Sequence, residues 1–212
     1  MKQIIFLFST ILFLFMETNA KNIIKLNPPD TSRGLPLMSA LAQRSSAKEF
    51  DSSEIDIKDI SDLLWAANGI NRQKDENRTA SSAANSQDIN IYLFTKNAVF
   101  LYSSTNHTLE EKVKGDHRLA ISGSQTEFAN APAFFLIVSD HSKFKYGDET
   151  QRHTWGAIDG GLVAQNICLF ASSVGMAARP RITMDYNKIR ELLKLKDSQQ
   201  MLLNVIVSYK KQ

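Results

Sequence analysis

Cysteine is nearly absent from this chain. Its 212 residues hold one, Cys168, so no disulfide can form within a single copy and the fold must rest on its core. Cys168 lies inside an apolar helical pattern, which reads as a buried, inert thiol rather than a nucleophile. Histidine is scarce too. His107, His117, His141 and His153 show no metal-ligand spacing with cysteine or carboxylates. An excess of one charge sign is missing. Lys and Arg number 25 against 22 Asp and Glu, and a net +3 is too small to argue for nucleic acid or an acidic membrane as partner. No apolar run approaches the roughly 20 residues that span a bilayer. No repeat with a period of about 20–50 residues and no low-complexity tract is visible.

What is present is ordinary globular composition, 43% hydrophobic and 22% charged, enough for one domain with a core. The first twenty residues stand apart. Met1-Lys2-Gln3 carries one positive charge, Ile4 to Phe15 is apolar except for Ser9 and Thr10, and Thr18-Asn19-Ala20 ends in short residues. This pattern predicts a signal peptide over 1–20, cleaved after Ala20, and a single domain over 21–212 in the periplasm or outside the cell. No cysteine follows the run and no twin arginine precedes it, so lipid attachment and folded export are not supported. Stable membrane insertion after cleavage is not expected.

Hydrophobic spacing then predicts the elements. Lys21 to Gly34 reads as a polar lead-in, with Pro28-Pro29 blocking a helix. Leu35, Leu37, Met38 and Leu41 fit a short helix ending near Arg44. Asp56 opens a helix through Ile57, Ile60, Leu63, Leu64 and Ala67, stopped by Asn68-Gly69. Asn71 to Asn77 reads as a charged surface loop. Ile89 to Tyr102 reads as an alternating strand and hairpin turning at Lys96-Asn97. The stretch from Leu109 to Arg118 reads as partly helical. Ala133 to Val138 is a continuous apolar run, a strand buried on both faces. Residues 155–174 form the longest predicted helix, apolar nearly all round, which places it in the core or a subunit interface. Its Gly160-Gly161 pair implies close packing against another helix, and Gly175 caps its end. Met176 to Thr183 shows no period. Asp185 starts a further helix, and Met201 to Tyr209 reads as a final strand before Lys210-Lys211.

Two stretches carry residue types suited to a ligand. Arg44-Ser45-Ser46-Ala47-Lys48 places two cations around two hydroxyls. Arg can hold a phosphate by a forked pair of hydrogen bonds, Lys as a point charge and Ser through its hydroxyl; a solvated basic patch is the bland alternative. Arg78-Thr79-Ala80-Ser81-Ser82-Ala83-Ala84-Asn85-Ser86-Gln87 combines small residues, which admit a flat ligand, with two side-chain amides that both donate and accept. Taken alone it is a polar loop entering a strand.

These two stretches, followed by Asp159-Gly160-Gly161-Leu162-Val163-Ala164-Gln165-Asn166 and then Gly175 to Thr183, stand in a fixed order. In that order the chain resembles the FMN-dependent nitroreductase family, especially its short exported branch related to SagB-type dehydrogenases, over roughly residues 34 to 209. The resemblance implies that Arg44, Ser45 and Ser46 bind the FMN phosphate and ribityl chain, with Lys48 as a second basic residue. It implies that Ser82, Ala83, Asn85 and Gln87 reach the flavin from the partner subunit, Ser81 standing where proline is usual. It implies that Pro180, Arg181, Ile182 and Thr183 form the loop over the ring, one backbone N–H facing flavin N5. Lys210 or Lys211 would join the phosphate site. The fold implied is α+β, a central mostly antiparallel sheet flanked by helices, built as an intertwined homodimer. The activity implied is that of an FMN-dependent oxidoreductase, hydride passing through N5 to or from a small-molecule substrate with no catalytic side chain. An exported member would need an electron donor other than cytoplasmic NAD(P)H. A non-enzymatic flavin-binding protein of the same fold is the alternative.

Overall fold

The computed structural model describes residues 22–211; the signal peptide expected over 1–20 lies outside the described residues. In chain order the elements are β1 (Ile23–Lys25), α1 (Leu37–Gln43), α2 (Ile57–Asn68), β2 (Ile70–Arg72) and β3 (Asn77–Arg78). Then come β4 (Ile89–Phe94), β5 (Ala98–Ser103), β6 (Thr108–Lys114), α3 (Arg118–Ser122) and β7 (Ala133–Asp140). The chain closes with α4 (Glu149–Ser173), β8 (Ala177–Arg181), α5 (Tyr186–Leu193) and β9 (Gln199–Ser208). Seven strands form one sheet in the order β1-β6-β5-β4-β7-β9-β8, and every neighbouring pair is antiparallel. The fold is α+β, as the resemblance implied. None of the described helices is long and apolar enough to cross a membrane.

β7 is apolar throughout because both its faces are covered. Side chains alternate along a strand. Phe135 and Ile137 join the core beneath α2 and α4, while Phe134, Leu136 and Val138 join a second core with Ile121 of α3 and Ile189 of α5. β4 divides likewise, Ile91 and Leu93 to one side and Tyr92 and Phe94 to the other. The sheet is therefore the middle of three layers.

The predicted helix from Asp56 is present as α2. The Asp56 carboxylate accepts from the Lys58 N–H at 2.7 Å. Gly69 ends it, though not by a left-handed turn, since its φ is −77°. It is glycine because Trp65 closes over it, and a Cβ there would stand 2.7 Å from the Trp65 Cα. Gly175 is the left-handed kind, φ +76°, with Gly175 N–H to Ser172 O and Met176 N–H to Ala171 O closing a Schellman motif.

Six expectations are corrected. The lead-in contains β1, which pairs with β6. The loop at 71–77 is the β2–β3 hairpin. Residues 108–114 are a strand: pairing with both β1 and β5 outweighs the helical preference of Leu-Glu-Glu-Lys. The aperiodic stretch 177–181 is the edge strand β8. The longest helix begins at Glu149, where Asp148 and Gln151 form a reciprocal capping box. It buries one face and exposes Ile158 and Leu162, so it is not covered all round within one chain. Its Gly160 packs against Leu202 and Ile137 of the sheet rather than against a helix, and Gly161 faces open space.

Replacing Gly69 by alanine forces the new methyl against backbone that cannot move aside. We expect a cost of about 1–3 kcal/mol. At ~2–4 °C per kcal/mol for a chain of this size, the thermal midpoint should fall by several degrees. An unchanged midpoint for Gly69→Ala would show that α2 and Trp65 do not close as described.

Candidate functional site

The segment 44–48 is fixed before any ligand is considered. Arg44 ends α1 in extended geometry, its N–H on Ala40 O at 2.9 Å. The chain then runs beside the outer edge of β8. Ser46 bridges Ala178 in parallel, Ala47 N–H donates to Ala178 O at 2.9 Å, and Arg179 Nη1 donates to Ala47 O at 3.3 Å. Ser172 Oγ, donating to Ala40 O at 2.8 Å, ties α1 to α4.

This edge borders a cleft of about 250 Å³ lined by Ser45, Cys168, Ser172, Met176, Lys210 and Lys211, among others. Of the expected phosphate residues, Ser45 thus meets Lys210 and Lys211 here, while Arg44, Ser46 and Lys48 do not line the cleft. No described group hydrogen-bonds the half-buried Arg44 guanidinium, and its charge acts on Cys168 at the cleft wall. Burial outweighs that charge and pushes the Cys168 thiol up to about 11, so it stays protonated, as the sequence implied. Lys211 has one weak partner, Glu49 at 3.7 Å, while Lys48 and Lys210 are exposed cations. Lys210 and Lys211 line the cleft with Ser45, Ser172 and the Glu49 carboxylate, and Arg44 and Lys48 stand on the adjoining segment, a donor set suited to a phosphate dianion. The site therefore fits the phosphate end of FMN.

The 82–87 segment is a tight turn. Ser82 Oγ accepts the Gln87 N–H at 2.9 Å, and Ser86 N–H reaches Ala83 O at 3.0 Å. Ala84, Asn85 and Gln87 all have φ near +50°. Left-handed backbone costs a non-glycine residue about 1–2 kcal/mol, so the turn needs external ties. Lys143 Nζ donates to Gln87 O at 2.9 Å, and Ala83 N–H donates to the Asp159 carboxyl at 2.8 Å. Gln87 Nε2 is spent on Glu76 O at 3.0 Å, while Asn85 points into solvent with its amide unengaged by described residues.

Asp159 is a residue that sequence reasoning quoted without giving it a role. It is 3% exposed on the inner face of α4, and Asp88 beside it is wholly buried. Burial, then hydrogen bonding and charge from Asp88, raise the Asp159 carboxyl from 3.8 to about 7; the Ala83 N–H opposes them. A lone aspartate in an apolar helical pattern was the available signal.

The third predicted piece divides. Pro180 is exposed on the edge strand, where its missing N–H costs nothing. Arg181 is 8% exposed, and its Nη2 donates to Ser122 O and to Thr183 O, the latter at 2.8 Å. Its guanidinium also lies 5.6 Å from the Phe128 ring centre. Through Nη2 that side chain holds α3 and the 182–183 turn, while its buried Nε and Nη1 have no described hydrogen-bond partner. Ile182 is 69% exposed and Thr183 half-buried beside it, at a groove shared with Leu119 and Tyr186. No described group accepts from the Ile182 N–H.

Within one chain the pieces do not all meet. Residues 44–48, 177–182 and 210–211 share the β8 end of the molecule. The 82–87 turn sits on Asp159, nine residues before Cys168 along α4, or about 13 Å. No group of three or more potential metal ligands occurs among the described residues.

A sequence model described as the nitroreductase family matches residues 41–209. A Methanocaldococcus jannaschii protein named as a nitroreductase is 28% identical over 195 residues, covering 86% of this chain and 96% of that one. A crystal structure of a Ralstonia eutropha protein described as a nitroreductase superposes with a TM-score of 0.81 at 29% identity, covering 90% of each chain. A Desulfovibrio desulfuricans nitroreductase structure in complex with FMN superposes at a TM-score of 0.59 and 17% identity, over 84% of this chain and 88% of that one.

Replacing Arg181 by alanine should take the charged donor from the Ser122 and Thr183 carbonyls, leaving them only the Gln125 N–H and Asn204 Nδ2, at about 1–3 kcal/mol. The ligand-free protein's thermal midpoint should fall accordingly. A midpoint equal to that of the parent would release Arg181 from this structural role.

Proposed function

The chain belongs to the nitroreductase family, and from that premise we propose that it is an FMN-dependent oxidoreductase acting on a small molecule. The observation that carries this reading is the convergence of Ser45, Lys210 and Lys211 on one cleft, with the Arg44 guanidinium, which no described group hydrogen-bonds, on the adjoining segment. Bound FMN would supply the two-electron chemistry at its N5. The protein's share is binding and orientation. Arg44 offers a fork of N–H donors to a phosphate, Ser45 and Ser46 add hydroxyl donors, and Lys48 and Lys210 balance the remaining charge. The outer edge of β8 leads from this cradle to Ile182, about 16 Å away at strand spacing. There the Ile182 and Thr183 N–H groups, for which no described group accepts, are donors available to a flavin ring nitrogen and are the candidates for steadying charge on the reduced ring. No general base is required of the protein. Export of the chain, from residues 1–20, is part of the same proposal and calls for a donor other than cytoplasmic NAD(P)H.

We propose a homodimer as the working form. Two observations support it. Leu37, Met38 and Leu41 of α1 and Ile158 and Leu162 of α4 are 42–76% exposed, an unusual apolar surface for helices that pack together. The 82–87 turn is held on Asp159, about 13 Å along α4 from Cys168 at the cleft wall, with its Asn85 amide exposed, so it is placed to serve a second copy's flavin.

Purified protein should carry yellow, FMN-like absorbance that bleaches on anaerobic reduction and returns with an electron acceptor. Arg44→Ala should weaken FMN binding by roughly 10- to 150-fold, the loss of a charge-assisted bond. Unchanged affinity in a folded variant would remove Arg44 from the phosphate site. Colour without turnover on any acceptor would favour a flavin carrier over an enzyme. Light scattering should give twice the monomer mass at micromolar concentration. Leu162→Lys, which places a charge on the apolar face of α4, should halve that mass. A flavin-loaded monomer in the parent protein would overturn the shared site.

A further inference from the structure

Beneath the 82–87 turn lies a carboxyl pair that the flavin reading does not use. Asp88 is fully buried, and Asp159 nearly so. Asp88 accepts from Ser139 Oγ at 2.5 Å and from Ser86 Oγ at 3.1 Å. Asp159, in hydrogen-bonding contact with Asp88, receives the Ala83 N–H at 2.8 and 3.1 Å through its two oxygens. Two carboxylates cannot both be ionised in such contact, so one proton must lie between them. The surrounding charges decide where it sits. Arg78 and Lys143 both feel the field of Asp88, as does His141, which His153 and Asp140 flank. Two hydroxyl donors and two cations favour the anion on Asp88. The proton is then on Asp159, whose hydroxyl donates to Asp88 while its carbonyl oxygen accepts from Ala83.

We propose that this shared proton is a latch: it joins the 82–88 segment to α4, and its loss loosens the turn that presents Asn85. Asp159 is thus a positioning residue for the turn. The latch rests on this chain's own contacts, while its bearing on flavin rests on the function proposed above.

The direction of the pH effect follows. The folded-state carboxyl titrates above its unfolded value, so the latch's stabilisation is complete below about pH 3.8 and is lost as pH rises towards and through about 7. The Ala83 N–H alone would favour the charged carboxylate, but burial and Asp88 outweigh it. His107 and His141 are held neutral mainly by burial and stabilise in the opposite direction over part of this range. A difference between variants is therefore the proper readout.

Asp159→Asn fixes the latched arrangement, because its amide can accept from Ala83 and donate to Asp88 at every pH. The midpoint difference between parent and Asp159→Asn, followed from pH 5 to 8.5, should widen as pH rises. Amide exchange across 83–88, corrected for base catalysis, should accelerate about tenfold over that range in the parent and stay flat in the variant. Carboxyl carbon NMR of the parent should show one of the two groups still protonated at pH 6. Ser139→Ala removes a donor to the Asp88 anion and should move that titration to higher pH, which tests the pair even if Asp159→Asn fails to fold. Two carboxyls ionised at pH 6, or parallel pH profiles in parent and Asp159→Asn, would overturn the latch. If the turn titrates as expected while FMN affinity keeps the same pH profile in both proteins, the latch stands. The assignment of 82–87 to the flavin then falls.

Discussion

The two-sided burial of β7 is the constraint from which the architecture follows. A strand with Phe134, Leu136 and Val138 on one face and Phe135 and Ile137 on the other cannot sit at a surface. It demands neighbours on both edges and helices on both faces. β4 and β9 supply the edges, α2 and α4 one cover, and α3 and α5 the other. Each later step is a consequence of filling those places. The hairpin to β5 continues the sheet one way, and β9 with β8 continues it the other, which brings the chain end back beside the start of β8.

That return builds the candidate site. Ala177 pairs with Ser208, so Lys210 and Lys211 emerge where α4 ends and where α1 delivers residues 44–48. The long helix serves as a ruler. Its C-terminal turns line the cleft through Cys168 and Ser172, while Asp159, two to three turns earlier, carries the 82–87 segment. The candidate ligand residues of one chain are thus spread along a helix of about 37 Å.

Much of this was legible in the sequence, and the failures have physical causes. α2, β7, α5 and β9 follow from hydrophobic period and turn residues, signals that lie within each segment. β6 misleads because Leu109 and Val113 stand four apart among Glu and Lys, a helical pattern that only pairing with β1 and β5 overrides. β8 is silent because Ala-Ala-Arg-Pro-Arg alternates nothing; it is a strand through β9 alone. In the site, residue types were readable at Arg44 to Lys48 and at Ser82 to Gln87. The meeting of Lys210 with Ser45 was carried over from the resemblance, since no local pattern encodes it. The commitment of the Arg181 side chain to carbonyls, and the contact of Asp88 with Asp159 across 71 residues, are purely tertiary.

The segment that offers Arg44 and Ser45 also caps the outer strand of the sheet. β8 is an edge, and an open edge is a template for another molecule's strand. Ser46 and Ala47 occupy part of that edge by pairing with Ala178, and Pro180 has no N–H to offer beyond it. The opposite edge, β1, is only three residues long. Loosening residues 44–48 would therefore do more than weaken a ligand contact. It would uncover an unpaired strand, so that the affinity proposed for the ligand and resistance to aggregation would be coupled through the same few backbone hydrogen bonds.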